Sequence, residues 1–153
     1  MHTPHWIVLD LETAADEAVL SLLDEPTAAK NLRDPDKIAA DLAERRAAQV
    51  ERMSLDPYAG RIVAVGRQSE SDRGPQVMVC RDVQDEDEAI HAIGERIQEG
   101  ARTVVGFYAQ RFDVPWLMTR ARLLGVRFPS LDTRKYGNRD IADLYALLTF
   151  DGA

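Results

Sequence analysis

The predicted sheet is built on Trp6-Ile7-Val8-Leu9-Asp10-Leu11-Glu12-Thr13, close to the first residue of the chain. Its four consecutive apolar residues, two of them β-branched, predict a strand buried on both faces, as central strands of α/β sheets are. Asp10 and Glu12 close this run, and both should point to one side because side chains alternate along a strand. Their repulsion favours a divalent cation between them; the alternative is that one acid caps the next helix and the other is solvated.

The composition is that of an ordinary globular protein. The 153 residues suffice for a single domain, with 45% hydrophobic and 29% charged residues. No apolar run approaches the ~20 residues that span a bilayer, and no secretion signal precedes the first strand. Cys80 is the only cysteine, which excludes a disulfide framework or a thiolate metal cluster. We therefore expect a cytoplasmic protein without membrane contact.

The charge of the chain is unevenly distributed. A net charge of −7 argues against a nucleic-acid partner, yet residues 106–153 carry seven Lys/Arg against five Asp/Glu. Phosphate binding depends on local patches more than on total charge. The alternative is that these basic residues form an ordinary solvated surface. They are Arg111, Arg120, Arg122, Arg127, Arg134, Lys135 and Arg139.

Hydrophobic spacing and turn residues predict a mixed order of strands and helices. After the first strand, a helical insertion covers about residues 14–53; its main helix starts at Asp34-Pro35, a favourable cap and first position. Two strands joined by a polar hairpin connection follow. A helix opened by four acids, Asp85 to Glu88, ends at Gly100; these acids fit the positive end of the helix dipole. A short strand at 103–106, a helix ending at Gly125, and a last helix within 140–150 complete the order.

This order predicts three antiparallel strands with a fourth strand parallel to the first. Asp113 follows the fourth strand, so adjacency of strands one and four would place it opposite Asp10 and Glu12. Three converging carboxylates can hold two divalent ions about 3.5–4 Å apart, the arrangement used for displacement at phosphorus. The alternative for Asp113 is a helix N-cap with Pro115 just inside the helix.

Two segments carry a family resemblance. Ile7-Val8-Leu9-Asp10-Leu11-Glu12-Thr13 resembles the first motif of the DEDD 3′→5′ exonucleases, which have a ribonuclease H-like fold. Residues 105–117, Val-Gly-Phe-Tyr-Ala-Gln-Arg-Phe-Asp-Val-Pro-Trp-Leu, resemble the second motif. Met53-Ser54-Leu55-Asp56-Pro57 with Gly60-Arg61-Ile62-Val63 is similar to the branch related to the proofreading domain of family B DNA polymerases. The resemblance covers nearly the whole chain.

The resemblance implies roles for particular residues. Asp10, Glu12 and Asp113 would bind Mg²⁺ or Mn²⁺ in a two-metal site, in which one ion activates the attacking water and the other steadies the leaving oxygen. The substrate residues would be Thr13, at the terminal nucleotide, Arg111, near phosphate, and the aromatic residues Tyr108 and Phe112. The family usually has Asn where this chain has Tyr108, which could stack on a base or simply pack.

The third motif of the family, a Tyr or His followed by the fourth metal-binding Asp, does not follow Arg139-Asp140-Ile141-Ala142-Asp143-Leu144-Tyr145. The fold is therefore expected to be short at its C-terminal side. Asp143 could replace the fourth ligand by position; the alternative is an acid at a helix start with no metal role.

Three functions remain open. The first is a metal-dependent exonuclease acting on the 3′ end of a nucleic acid, with single-stranded DNA as the expected substrate. The second is a catalytically impaired module that binds nucleic acid or a polymerase or repair partner, and the third is a fragment completed by other residues or by a partner subunit. The residue pattern fixes neither the choice between DNA and RNA nor the oligomeric state.

Overall fold

The computed structural model describes residues 5–100, 103–134 and 140–149. Five strands and five helices follow one another along these residues. They are β1 (Trp6–Ala15), α1 (Glu17–Leu20), α2 (Pro35–Ser54), β2 (Gly60–Ser69), β3 (Gln76–Val79), α3 (Val83–Gln98), β4 (Thr103–Gly106), α4 (Asp113–Leu124), β5 (Ile141–Asp143) and α5 (Leu144–Thr149). None of the described helices combines the length and the apolar character that crossing a membrane requires.

The strands form one mixed sheet in the order β3-β2-β1-β4-β5. β4 lies parallel to β1, with Trp6 opposite Thr103 and Val8 opposite Val105. β5 lies parallel to β4, and β2 and β3 form an antiparallel hairpin. The predicted adjacency of the first and fourth strands is confirmed. The predicted α/β class is also confirmed, and this helix-flanked open sheet is consistent with a ribonuclease H-like domain.

Burial along β1 differs from the prediction. Ile7, Leu9 and Leu11 are buried, whereas Val8 is 37% exposed and Asp10 and Glu12 are exposed. The strand is therefore buried on one face only, and the prediction of two buried faces was wrong. An unbroken apolar run does not reveal whether a second layer covers the other face.

The core lies on the face of β1 that carries Ile7 and Leu9. It is completed by apolar residues of α3 and α4, among them Ile90, Ile93 and Leu117, each at most 1% exposed. Ile7, Val104 and Ile141 are register partners across three strands, so they present one continuous apolar row. This row fixes which residues of β1 face away from the core.

A buried ion pair joins α3 to α4. Glu86 Oε1 and Oε2 accept hydrogen bonds from Arg120 Nε and Nη2 at 2.7 and 2.8 Å, and Oε1 also accepts the Ile62 N–H at 3.1 Å. Asp82 is the N-cap of α3, and Asp85 and Glu86 lie in its first turn as predicted, but the carboxylate of Glu86 is buried against Arg120. Arg120 is likewise removed from the predicted basic surface.

The last elements also depart from the predicted helix at 140–150. Residues 141–143 form β5, and the helix begins only at Leu144. Pairing with β4 determines this conformation, since a three-residue strand leaves almost no periodic signal of its own. By contrast, Asp34 at the N-cap of α2 and Gly125 at the C-cap of α4, with φ of 75°, confirm the predicted helix limits.

Residue contacts divide the chain into two compact units. One contains the described residues up to Glu12 and from Ile62 onward; the other is Thr13–Arg61, which holds α1 and α2. Within the second unit, Met53 of α2 is buried, and the Asp16 N–H donates to the Ala59 carbonyl at 3.0 Å. The predicted acids of the candidate site all belong to the first unit.

Candidate active site

Asp10 and Glu12 project from the exposed face of β1. They alternate with the buried Leu9 and Leu11, so the two carboxylates share the face opposite the core. β1 continues to Ala15, which places both acids within the strand and not at its end, contrary to the prediction. Both side chains are therefore open to solvent and to a ligand approaching this face.

Asp113 reaches β1 from the first turn of α4. The residue is 4% exposed, and its Oδ1 accepts the Leu11 N–H at 2.9 Å. The described β1–β4 pairing ends at Val8 and Val105, so the Leu11 amide lies beyond β4 and obtains its acceptor from Asp113. The N-cap residue of α4 is Phe112, which makes no side-chain cap bond. The carboxylate of Asp113 therefore accepts a hydrogen bond from β1 and does not cap the helix.

The pKa of Asp113 is raised from 3.8 to about 6. Burial is the main cause, because desolvation disfavours the charged carboxylate. The Leu11 N–H acts in the opposite direction, whereas the negative charges of Asp10 and Asp143 raise the pKa further. Asp10 of β1 and Asp143 of β5 thus both lie within electrostatic range of Asp113.

Asp143 ends β5 and is 6% exposed. Its Oδ1 accepts the Tyr108 and Tyr145 N–H groups at 2.9 and 3.0 Å, and its Oδ2 accepts the Gln110 N–H at 3.0 Å. Gly106 is its register partner, which puts Asp143 on the same face as Ile141 and not on that of Asp10 and Glu12. Asp143 thus holds the β4–α4 connection in place through the Tyr108 and Gln110 amides, and we call it the clamp of this connection. Its metal role stays a prediction.

The β4–α4 connection is tightly wound between Gly106 and Asp113. A Cβ at Gly106 would lie 2.7 Å from the Ala109 Cβ and 2.9 Å from the Leu9 carbonyl oxygen, so only glycine fits there without displacement. Tyr108 adopts φ of 63°, a left-handed conformation that is costly for a bulky residue and better tolerated by Asn. The backbone conformation at position 108 would therefore suit Asn better than it suits Tyr.

The acids do not form a ready-made cation site as they stand. Carboxylate oxygens are suitable ligands for Mg²⁺ or Mn²⁺. Yet within residues 5–100, 103–134 and 140–149 no three His, Cys, Asp or Glu side chains are grouped closely enough to hold a metal ion. One oxygen of Asp113 and both oxygens of Asp143 accept amide hydrogen bonds. The expected two-metal site stays a prediction.

An aromatic cluster that the sequence reading did not identify borders these acids. Tyr145 of α5 meets the Phe107 and Tyr108 rings edge-on, at centroid separations of 5.6 and 5.3 Å. Arg111 lies 5.8 Å from the centroid of the Tyr108 ring. The sequence places Tyr145 in the predicted last helix and gives it no role at the site. Its proximity to residue 108 depends on β5, which the sequence pattern does not predict.

The other predicted substrate residues have structural contacts of their own. The Thr13 hydroxyl donates to the Ser54 carbonyl at 2.6 Å. Phe112 is half-buried, with its ring centroid 5.9 Å from that of Trp116. A substrate role for Thr13 and Phe112 stays a prediction.

Two recesses differ in their chemistry. A small one, about 70 Å³, is lined by the aromatic cluster and the clamp: Tyr108, Gln110, Arg111, Thr133, Asp143, Tyr145 and Ala146. A larger one, about 550 Å³, lies within the Thr13–Arg61 unit, lined by residues such as Leu23, Arg52 and Met53. None of the predicted acids lines the larger recess, so its size does not identify it as the reaction site.

Comparison with known proteins shows the fold without showing a family. No protein-family description and no curated protein matches the chain. Among solved structures, the family B DNA polymerase from the hyperthermophilic archaeon Pyrobaculum calidifontis is similar, with a TM-score of 0.53 and 17% sequence identity. The match covers 94% of this chain and 16% of the polymerase chain. Our chain therefore shares its fold with a limited part of a DNA polymerase.

Proposed function

We propose that this domain is a metal-dependent 3′→5′ exonuclease acting on the 3′ end of single-stranded DNA. The observation that carries the proposal is the approach of Asp113 to β1, where its carboxylate binds the Leu11 amide and senses the charge of Asp10. The DEDD resemblance of the two segments that contain these acids supports it. Structural similarity to a family B DNA polymerase supports a nucleic-acid-related role independently.

The ionisation of Asp113 supports a functional role for this carboxyl group. An amide side chain at position 113 could accept the Leu11 N–H equally well without the cost of a buried charge. A buried acid with a raised pKa beside other acids is typical of functional sites. In the proposed role, Asp10, Glu12 and Asp113 would hold the divalent cations, and the cations would supply an activated water. The three side chains would fix the cations beside β1.

Incubation of a 5′-labelled single-stranded oligodeoxynucleotide with the protein and Mn²⁺ or Mg²⁺ tests the proposal. We expect a ladder that shortens from the 3′ end and disappears with EDTA, Glu12→Gln or Asp10→Asn. Glu88→Gln, an exposed glutamate of α3, is the matched control and should retain activity. A ladder unchanged in Glu12→Gln, or cleavage of a strand whose 3′ end is blocked, would contradict it. An oligoribonucleotide of the same sequence distinguishes DNA from RNA.

The second candidate is a module that binds nucleic acid or a polymerase partner without hydrolysis. The amide hydrogen bonds of Asp113 and Asp143 favour it, since a metal ion must compete with these donors. A mobility shift of the labelled strand without shortening, at any divalent cation concentration, would support this candidate over the enzyme.

A further inference from the structure

The cluster formed by Phe107, Tyr108 and Tyr145, here called the aromatic edge, is open to solvent. Phe107 is 62% exposed and Tyr108 is 39% exposed. Large aromatic residues are normally buried, and exposed ones that contact each other mark binding surfaces more often than isolated ones do. The edge-on contacts of Tyr145 hold both neighbouring rings in place, which lowers the entropy lost when a ligand binds.

The backbone beneath the aromatic edge is held rigidly. Asp143 binds the amides of Tyr108 and Tyr145, one on each side of the ring contact, and a third amide at Gln110. These bonds stabilise the left-handed conformation of Tyr108, which is unfavourable for a non-glycine residue. Strained backbone conformations that buried hydrogen bonds retain are concentrated at functional sites, which favours a binding role for the ring at position 108.

The charge beside the aromatic edge suits a phosphate-bearing ligand. Arg111 lies over the Tyr108 ring, and Asp113 of the candidate active site follows two residues later. Aromatic faces combined with an arginine are the usual means of binding unpaired bases and their backbone. Bases within a duplex are already stacked on each other and cannot offer their faces in this way.

We propose that the aromatic edge is a stacking platform for the unpaired bases at the end of a single strand, with Asp143 as its positioning residue. The placement of a 3′ end here rests on the proposed function, but base stacking itself does not require hydrolysis. The platform makes single-stranded ends the preferred ligand, because a fully paired end keeps its bases within the duplex.

The test compares two fluorescent oligodeoxynucleotides by anisotropy in EDTA, in the Asp10→Asn/Glu12→Gln background, so that neither hydrolysis nor repulsion by these two acids plays a part. One ends in three adenine nucleotides, and the other has abasic residues at the same three positions. Stacking of one base is worth about 1–3 kcal/mol, so even one stacked adenine should favour the adenine end by about five-fold or more. Phe107→Leu and Tyr145→Leu should reduce this ratio to near one, and Tyr145→Phe should restore it.

The ratio separates the platform from the proposed hydrolysis. A preference for the adenine end without cleavage in Mn²⁺ would support the platform and contradict the exonuclease proposal. Cleavage with a ratio near one would support the exonuclease proposal and contradict the platform. No detectable binding of the adenine strand also overturns the platform, as does a ratio that Phe107→Leu leaves unchanged. Asp143→Asn, checked for folding by circular dichroism, should lower the ratio while Asp132→Asn leaves it intact.

Discussion

The raised pKa of Asp113 makes the stability of the folded chain depend on pH. In the unfolded chain its carboxyl group loses a proton near pH 3.8, but in the folded chain only near pH 6. Between these values the folded protein holds more protons, so raising the pH lowers its stability. At about 1.4 kcal/mol for each pH unit, the loss attributable to Asp113 reaches about 3 kcal/mol above pH 6.

We therefore expect metal-free Asp113→Asn to gain stability relative to the native protein as the pH rises from about 4 to about 6. The asparagine oxygen still accepts the Leu11 N–H, so the variant should fold. Urea unfolding at several pH values measures the difference between the two proteins. Asp132→Asn is the control: Arg134 lowers the pKa of Asp132 to about 2, so the effect of this substitution should stay constant from about pH 4 to about pH 6. A difference between Asp113→Asn and the native protein that does not vary with pH would exclude the raised pKa.

Tyr108 illustrates what sequence can and cannot reveal about a residue. Its place in the motif-like segment makes it a candidate substrate residue, but the sequence does not distinguish a ring that stacks on a base from one that packs against the protein. The positive φ and the contacts with Tyr145 depend on amides bound by Asp143, 35 residues away. Hydrophobic patterning carries no record of such a side-chain-to-backbone bond. For Asp10 and Glu12, in contrast, the two-residue period of a strand is enough to predict that both side chains lie on one face.

The connection from β4 to α4 is the element that carries Asp113 to β1, and Gly106 sets its path. Gly106→Ala should lower the free energy of unfolding by about 1–3 kcal/mol, because its Cβ would press against Ala109 and the Leu9 carbonyl. Displacing this connection also moves Asp113, so cleavage in Mn²⁺ should fall by more than the lost stability explains. Urea unfolding and the oligodeoxynucleotide assay measure the two effects.

Gly74→Ala provides the matched control, since a Cβ at Gly74 would meet nothing within 4 Å. We expect its stability to change by no more than about 0.5 kcal/mol. Equal effects of the two substitutions would show that the close approach at Gly106 is not what fixes the connection.

Elements whose signals are local were predictable, and elements that depend on pairing were not. The helix α2 has its Asp-Pro start and α4 its glycine stop within the segment itself. The strand β5 exists through its register with β4, and Glu86 is buried through Arg120, 34 residues away. The sequence therefore predicts Asp10, Glu12 and Asp113 as candidate site acids and Asp143 as a candidate fourth ligand. It does not predict that Asp143 accepts the backbone amides of Tyr108 and Tyr145.

The net negative charge of the whole chain opposes nucleic-acid binding. The chain carries 26 acidic residues against 19 Lys/Arg. Several arginines are committed to acids within the described residues: Arg45 to Asp41, Arg67 to Asp72, Arg120 to Glu86 and Arg134 to Asp132. The basic surface expected from residues 106–153 thus loses Arg120, and the net negative charge weakens general attraction to phosphate.

If the proposed function is right, divalent cations must offset this repulsion at Asp10, Glu12 and Asp113. At constant ionic strength, adding Mg²⁺ should strengthen binding of a single-stranded oligodeoxynucleotide by about tenfold or more. The double variant Asp10→Asn/Glu12→Gln should bind better than the native protein in EDTA and lose most of the Mg²⁺ effect. A strand of the same sequence with an uncharged backbone should show no Mg²⁺ effect with either protein. Tight binding in EDTA that weakens steeply with monovalent salt would instead reveal a basic surface, and would separate strand binding from the three acids.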